Sequence, residues 1–367
     1  MTCYCQIVAV SENHGLLTPE VKELSAGIDT AIFSFGGILL PDLVEVLDEA
    51  KEWARTYGKD APFTLGGSDF LVKPGSLNLM RFRLDHEYGV IGVSDRPSLP
   101  ILRWQPRGAF LHSVGVAGAR DWLRDRFAGV AHVGPEQLSR VDLYADFQGL
   151  WFGPEEVENF VTRASRDTVR RTVGQFTGFE FGGRSRGGMH ARVYQKDVEI
   201  ELKRGDYWRE LWGPRYVPGD SVWRIEYELH RDVLREFGVT DLSSVEGNLA
   251  GLWSYATTQW LSLREPTSDQ TRSRWPLDHR WTHVVAANHG WDTVPLERVR
   301  EIQRGRGLHE DLPYALGYLE RIAAHRGTAD LGDALDYVRQ HAPEYLRAKG
   351  TDFESESRAK RIRMGVV

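Results

Sequence analysis

Side chains alternate along a β-strand, so residues i, i+2 and i+4 share one face. Three stretches in the middle of the chain turn that rule into chemistry. In Arg140-Val141-Asp142-Leu143-Tyr144-Ala145-Asp146, one side is Val, Leu and Ala, and the other is Arg140, Asp142, Tyr144 and Asp146. In His190-Ala191-Arg192-Val193-Tyr194-Gln195-Lys196, one side shows His190, Arg192, Tyr194 and Lys196. In Arg224-Ile225-Glu226-Tyr227-Glu228-Leu229-His230, one side shows Arg224, Glu226, Glu228 and His230. Unpaired charge is costly to bury, so these sides either form ion pairs on a wet sheet face or line a site. Three such strands so close together favour a site.

Clustered carboxylates bind hard divalent cations such as Mg2+ or Mn2+. These faces offer the carboxylates Asp142, Asp146, Glu226 and Glu228, the last a candidate ligand on side-of-strand geometry alone. Such an ion polarises a phosphate and neutralises charge developing on it. A tyrosine hydroxyl, with a reference pKa near ~10, becomes a nucleophile when a cation favours its phenolate. Lys196 lies two residues from Tyr194 on the same face and is placed to help. Tyrosine, lysine, carboxylates and arginines together suit transesterification of a phosphodiester. Hydrolysis by water leaves the tyrosine without a task.

The elements that must position these groups follow from periodicity. Residues 28–36 read as a strand, and a helix runs from Pro41 to Gly58 with Leu43, Val46, Leu47, Ala50 and Trp53 on its buried side. Alternating runs follow at 78–85, 88–94 and 100–113, then a helix near 117–128. The order repeats: a strand at 138–147, a helix after Pro154, and strands at 175–182, 189–201 and 222–230. The expected fold is α+β, an antiparallel-rich sheet core of two strand–helix–strand–strand halves with a C-terminal helical region. Helical spacing recurs at 242–263, 295–303, 312–325 and 331–347. The expected divisions are a catalytic region 1–240, a helical region 241–350 open to DNA docking, and a basic tail 351–367.

The chain has 367 residues and a formal net charge of −6, which argues at first against nucleic acid. Residues 1–60 hold four Lys/Arg against ten Asp/Glu and account for that excess. Residues 163–192 hold seven arginines against Asp167 and Glu180, a local stripe able to hold phosphates. No apolar run approaches the ~18 residues that cross a bilayer. Cys3 and Cys5, with no basic leader before them, point to a reducing cytoplasm. Gly182-Gly183-Arg184-Ser185-Arg186-Gly187-Gly188 lacks the Lys-Ser/Thr ending of a Walker loop, and Arg280 after His279 rules out HExxH. A basic glycine-rich turn can still meet phosphate through backbone N–H groups.

In order along the chain, R-x-D-x-x-x-D (Arg140, Asp142, Asp146), R-x-Y-x-K-x-x-E (Arg192, Tyr194, Lys196, Glu199) and R-x-E (Arg224, Glu226) resemble the replication initiation factor family of the Rep_trans type. That family includes initiators of rolling-circle plasmids and phages and relaxases of some conjugative elements. The likeness covers roughly residues 25–240. It implies a nicking-enzyme-like sheet, Tyr194 as nucleophile, Lys196 and Glu199 beside it, and metal-related acids at Asp142, Asp146 and Glu226. It further implies an origin nick, single-stranded or cruciform, leaving a 5′-phosphotyrosine and a free 3′-hydroxyl primer. Arg170, Arg171, Arg184, Arg186, Arg192 and Arg224 are the candidate DNA-binding residues. A helicase or polymerase partner and a homodimer go with that reading, and no membrane does. Two other classes compete: a DNA-binding regulator without chemistry, and a metal-dependent hydrolase using water.

Overall fold

A strand of eighteen residues, β1 (Lys22–Leu39), opens the sheet and stops at Leu40, where Pro41 begins α1 (Pro41–Tyr57). Proline suits the first helical turn because its missing N–H would have had no partner there. Gly58, at φ 62°, ends the helix in the left-handed conformation. Five strands follow: β2 (Ala61–Leu65), β3 (Ser68–Val72), β4 (Phe82–His86), β5 (Gly89–Val93) and β6 (Leu102–Pro106). A broken helix, α2 (Gly108–Phe127), leads into a second long strand, β7 (Ala131–Gln148). Then come β8 (Phe160–Thr162), β9 (Asp167–Thr172), β10 (Gln175–Phe181), β11 (Met189–Gln195), α3 (Lys196–Lys203), α4 (Tyr207–Trp212) and β12 (Val222–His230).

This computed structural model describes residues 20–183, 188–203, 205–287 and 308–357. Eleven strands form one antiparallel sheet in the order β2-β3-β4-β5-β6-β1-β7-β12-β11-β10-β9. The order contains a repeat. β1 and β7 pair at the centre; each is followed by an outermost strand and a return, strand by strand, to its own side. The α+β class and the two related halves are therefore as read from periodicity, with more strands per half. The helix expected after Pro154 is a short 3-10 segment, Pro154–Asn159.

One sheet face is apolar. Val141, Leu143, Ala145 and Phe147 of β7 stand beside Trp223, Ile225, Tyr227 and Leu229 of β12, all at most 1% exposed. Burying each such side chain contributes about 1.5–3 kcal/mol. Short helices α5 (Arg231–Glu236), α6 (Leu242–Glu246), α7 (Leu249–Tyr255) and α8 (His279–Val285) contribute to the same core. Trp253 donates to the Val284 carbonyl at 2.8 Å and Trp281 to the Thr257 carbonyl at 2.9 Å, so these indoles are core. The helix expected over 242–263 is interrupted: residues 256–260 form a π-turn, and β13 (Leu261–Leu263) pairs with β8. In α1 the buried residues are Leu43, Leu47, Lys51 and Ala54, whereas Val46 and Trp53, expected inside, are exposed.

Contacts divide the chain into two compact units, residues 1–297 and 298–367. In the second, α9 (Leu308–Arg326) and α10 (Leu331–Ala348) pack on each other, and Asp330 caps α10 by accepting from the Gly332 N–H at 2.7 Å. The helix expected at 295–303 and the tail beyond residue 357 lie outside the described residues.

Candidate active site

The opposite sheet face assembles the chemistry in rows set by strand register. Tyr194 on β11 stands beside Arg224 on β12, which stands beside Asp146 on β7. The next row is Arg192, Glu226 and Tyr144; the one after is His190, Glu228 and Asp142. Asp29 enters from β1 through a β-bulge, because the pairing to β7 slips between Ile28 and Thr30. A bulge re-aims one side chain. Nothing in the residue pattern marks it, and Asp29 was not among the expected site residues. On the far side of Tyr194, β10 approaches at Gly178 (φ 145°), where a Cβ would lie 2.2 Å from the Val193 carbonyl oxygen.

The strand expected over 189–201 ends at Gln195, and Lys196 begins α3. Alternation therefore does not place Lys196. The turn into a helix does: Lys196 and Glu199, three apart, meet at 2.5 Å, and Lys203 reaches the other Glu199 oxygen at 2.6 Å.

The half-buried Tyr194 hydroxyl lies 3.0 Å from Glu226 Oε2 and 3.2 Å from Glu199 Oε2, and donates to these carboxylates. Arg192 pairs with Glu226 and its guanidinium lies 5.2 Å from the Tyr194 ring centre. Burial and the Glu226 charge push the Tyr194 phenol well above its ordinary pKa. Burial and the Arg224 charge push the Lys196 ammonium down. Burial alone would raise Glu199, yet Lys196 and Lys203 hold it down to about 2.

Carboxylate oxygens of Asp29, Asp142 and Glu226 lie within 4.8 Å of one another, a spacing suited to a shared cation. Asp146 is committed elsewhere: Arg224 holds it at 2.6 and 2.7 Å, and Trp212 donates to it at 2.8 Å. Glu228 lies 2.8 Å from Arg140 and 2.7 Å from His230. Burial, against a strong pull from Arg140, lifts Asp142 to about 8. Six carboxylates (Asp29, Asp142, Asp146, Glu199, Glu226, Glu228) thus face four enclosed cations (Arg140, Arg192, Lys196, Arg224), with Lys203 exposed outside. Burial favours the neutral form of Asp142, so a cation bound there would displace its proton.

A second apolar cluster covers these charges: Leu24, Tyr144, Ile200, Trp208, Trp212 and Val222. Arg224 is sandwiched 3.9 Å from the Trp208 ring centre and 4.2 Å from that of Tyr144. His112, on the first turn of α2, meets Trp208 edge-on at 4.6 Å, and burial lowers it to about 4.

The candidate DNA-binding arginines separate. Arg224 is 0% exposed and pairs with Asp146 and, at 2.6 Å, with Asp29, so it is a cation of the site and cannot reach a backbone outside it. Arg192 is half-buried on Glu226. Arg170 and Arg171 are exposed on the outermost strand β9, Arg170 pairing with Glu180. Arg184 and Arg186 lie outside the described residues. No helix among the described residues is long and apolar enough to cross a membrane.

No family model matches the chain. The uncharacterized protein ORF430 of Pseudomonas phage Pf1 is 24% identical over 311 residues, covering 71% of this chain and 68% of that protein. A solved rolling-circle replication initiator protein from Geobacillus stearothermophilus aligns with a TM-score of 0.42 and 13% identity, over 73% of this chain and 96% of that one.

Proposed function

We propose that the chain is a DNA nicking–joining enzyme that starts rolling-circle replication, with Tyr194 as nucleophile. One observation carries the reading: a tyrosine hydroxyl held between two carboxylates, flanked by Arg192 and Lys196, against a trio of carboxylates on one sheet face. A structural tyrosine has no use for that setting. In the reaction, Tyr194 Oη attacks phosphorus and the bond to the 3′-oxygen breaks. The phenol proton passes to the Glu226–Glu199 pair and from there to the departing 3′-oxygen, which leaves as a hydroxyl. The 5′-phosphotyrosine conserves the ester, so joining is the same step reversed. Arg192 and Lys196 offset charge on the phosphate, with the Trp208 ring packed over Lys196.

Asp29, Asp142 and Glu226 fit Mg2+ or Mn2+: all donors are hard oxygens, and the ion would favour the charged form of Asp142 that burial disfavours. Such an ion supplies Lewis-acid polarisation of the scissile phosphate. Asp146 acts through Arg224, whose guanidinium orders Asp29. The exposed Arg170 and Arg171 fit a backbone path towards the site. A cytoplasmic setting, a helicase or polymerase partner to open and copy the strand, and a homodimer belong to the same reading. The phage relative fits replication of a mobile element, and a conjugative relaxase would use the same chemistry.

The test is supercoiled origin DNA with Mg2+ or Mn2+. Wild type forms nicked circles and a denaturation-resistant protein–DNA adduct. Tyr194→Phe abolishes the adduct and leaves DNA binding intact; an undiminished adduct sinks the assignment. The carboxylate trio also favours a water-using hydrolase as second reading, which predicts cleavage that survives Tyr194→Phe without any adduct.

A further inference from the structure

The half of the sheet without the tyrosine carries its own concentration of positive charge. One face of α1 presents Asp48, Lys51 and Arg55 to the Ser76–Arg81 segment and Arg96, enclosing a cavity of about 380 Å3. Four cations line it against one carboxylate. Arg81 is neutralised, held by Asp48 at 2.6 Å and by Asp95. Lys51 is 7% exposed and donates to the Arg81 carbonyl. Arg55 donates to the Pro74 carbonyl at 3.3 Å, with Glu52 no closer than 4.0 Å. The exposed Arg96 side chain forms no ion pair among the described residues. Burial, with the nearby Arg55 and Arg81 charges, lowers Lys51, and Asp48 opposes the shift in part.

The cavity is also held open. Met80 is buried against Gly92, where a Cβ would lie 2.7 Å from its Cγ, so only glycine lets the rim segment seat on β5. The Arg81 guanidinium lies 4.9 Å from the Phe82 ring centre and fixes the rim's other end. Leu79 and Met80 are the only apolar residues lining it, and no aromatic ring does. A nucleobase or cofactor ring would find no stacking surface. A phosphate would find Lys51 at the floor and Arg55 and Arg96 at the mouth.

We propose that this cavity takes backbone phosphates of duplex DNA flanking the nick, as a sequence-independent docking point remote from Tyr194. The proposal rests on the nicking function for its choice of DNA; the anion site stands on the cavity alone.

The experiment uses the full chain, a fluorescein-labelled random-sequence duplex and a KCl series. In Arg55→Ala/Arg96→Ala, the slope of log K against log [KCl] becomes shallower by about 2, from about 0.9 per lost phosphate contact. Arg339→Ala, an exposed arginine of α10, leaves the slope unchanged. An unchanged slope in the double variant overturns the proposal, and so does an equal loss in Arg339→Ala. Inorganic phosphate separates the sources: if it raises the Tm of wild type but not of the double variant while the duplex slope is untouched, the site takes free anions and the duplex proposal falls. The Tyr194 adduct is measured in the same samples. A lost slope with no adduct in any sample removes the nicking reading and keeps the cavity; a normal adduct with an unchanged slope does the reverse.

Discussion

The two halves of the sheet share a path and differ in how they treat charge. In the half begun by β1, polar residues pair near solvent: Lys73 with Asp60 at 2.5 Å, and Arg83 with Asp85 at 2.7 Å, all of them about a fifth or more exposed. Each of these surface pairs is matched. In the half begun by β7, Asp142, Asp146, Glu226 and Arg224 are all at most 1% exposed, and acids outnumber bases. Repetition of a frame therefore tells little about activity. What separates the halves is charge held out of water with too few partners, next to a tyrosine that has no packing reason to be polar.

The largest expected effect breaks that contrast at its centre. Arg224→Met leaves Asp146 and Asp29 without their shared cation, and the loss is about 3–5 kcal/mol, as for other broken buried pairs. Urea unfolding measures it. Arg83→Met, its counterpart near the surface, loses at most about 1 kcal/mol. Equal losses at both positions would mean that burial does not distinguish the halves.

How much of this was legible follows from which features are periodic. Alternation located β12 over its full length, 222–230, and put Arg192, Tyr194, Arg224, Glu226 and Asp142 on one face, because each fact depends only on a strand's own residues. The features that finish the site depend on neighbours. Asp29 is aimed by a bulge that exists because β1 must pair with β7. Lys196 meets Glu199 only because the chain turns into α3 at that point. Trp208 and Trp212 carry no chemical signal of their own, and their role on Arg224 and Asp146 needs α4 packed on the sheet. The π-turn at 256–260 likewise exists because β13 pairs with β8, a contact invisible to helical spacing.

A second effect appears with acid. Burial holds His112 down to about 4, against an ordinary value near ~6.5. The unfolded chain therefore binds a proton on this residue before the folded one does. Its contribution is fully present above pH ~6.5 and is lost as pH falls through 4, a change of about 3 kcal/mol. His112→Phe, which keeps the edge-on contacts with Tyr144 and Trp208, should flatten stability over that window. Burial lowers His86 of the other half too, so part of the slope should remain and disappear when His86→Phe is added. A slope unaffected by either change would place acid sensitivity elsewhere.

Two glycines make a finer comparison. Gly178 presses on Val193 and Tyr194; Gly89 of the other half presses on Gln105 and Trp104, with a Cβ 2.3 Å from the Gln105 carbonyl oxygen. Both have positive φ, so alanine at either should cost about 1–3 kcal/mol. Only Gly178→Ala shifts the backbone that carries Tyr194, the proposed nucleophile. It should cut adduct formation well beyond its effect on Tm, whereas Gly89→Ala should lower Tm alone.

The smallest effect tests the carboxylate trio directly. If Asp29, Asp142 and Glu226 hold a cation, Mn2+ should raise stability by RT ln(1 + [Mn2+]/Kd). At concentrations near Kd that is only about 0.4 kcal/mol, a Tm change of about a degree or two in a chain of this size. Asp142→Asn removes one of the three donors and should abolish the shift. Asp85→Asn, in a surface pair of the other half, should leave it intact. A shift that survives Asp142→Asn and vanishes in Asp85→Asn would reverse the assignment and put the cation on the half without the tyrosine.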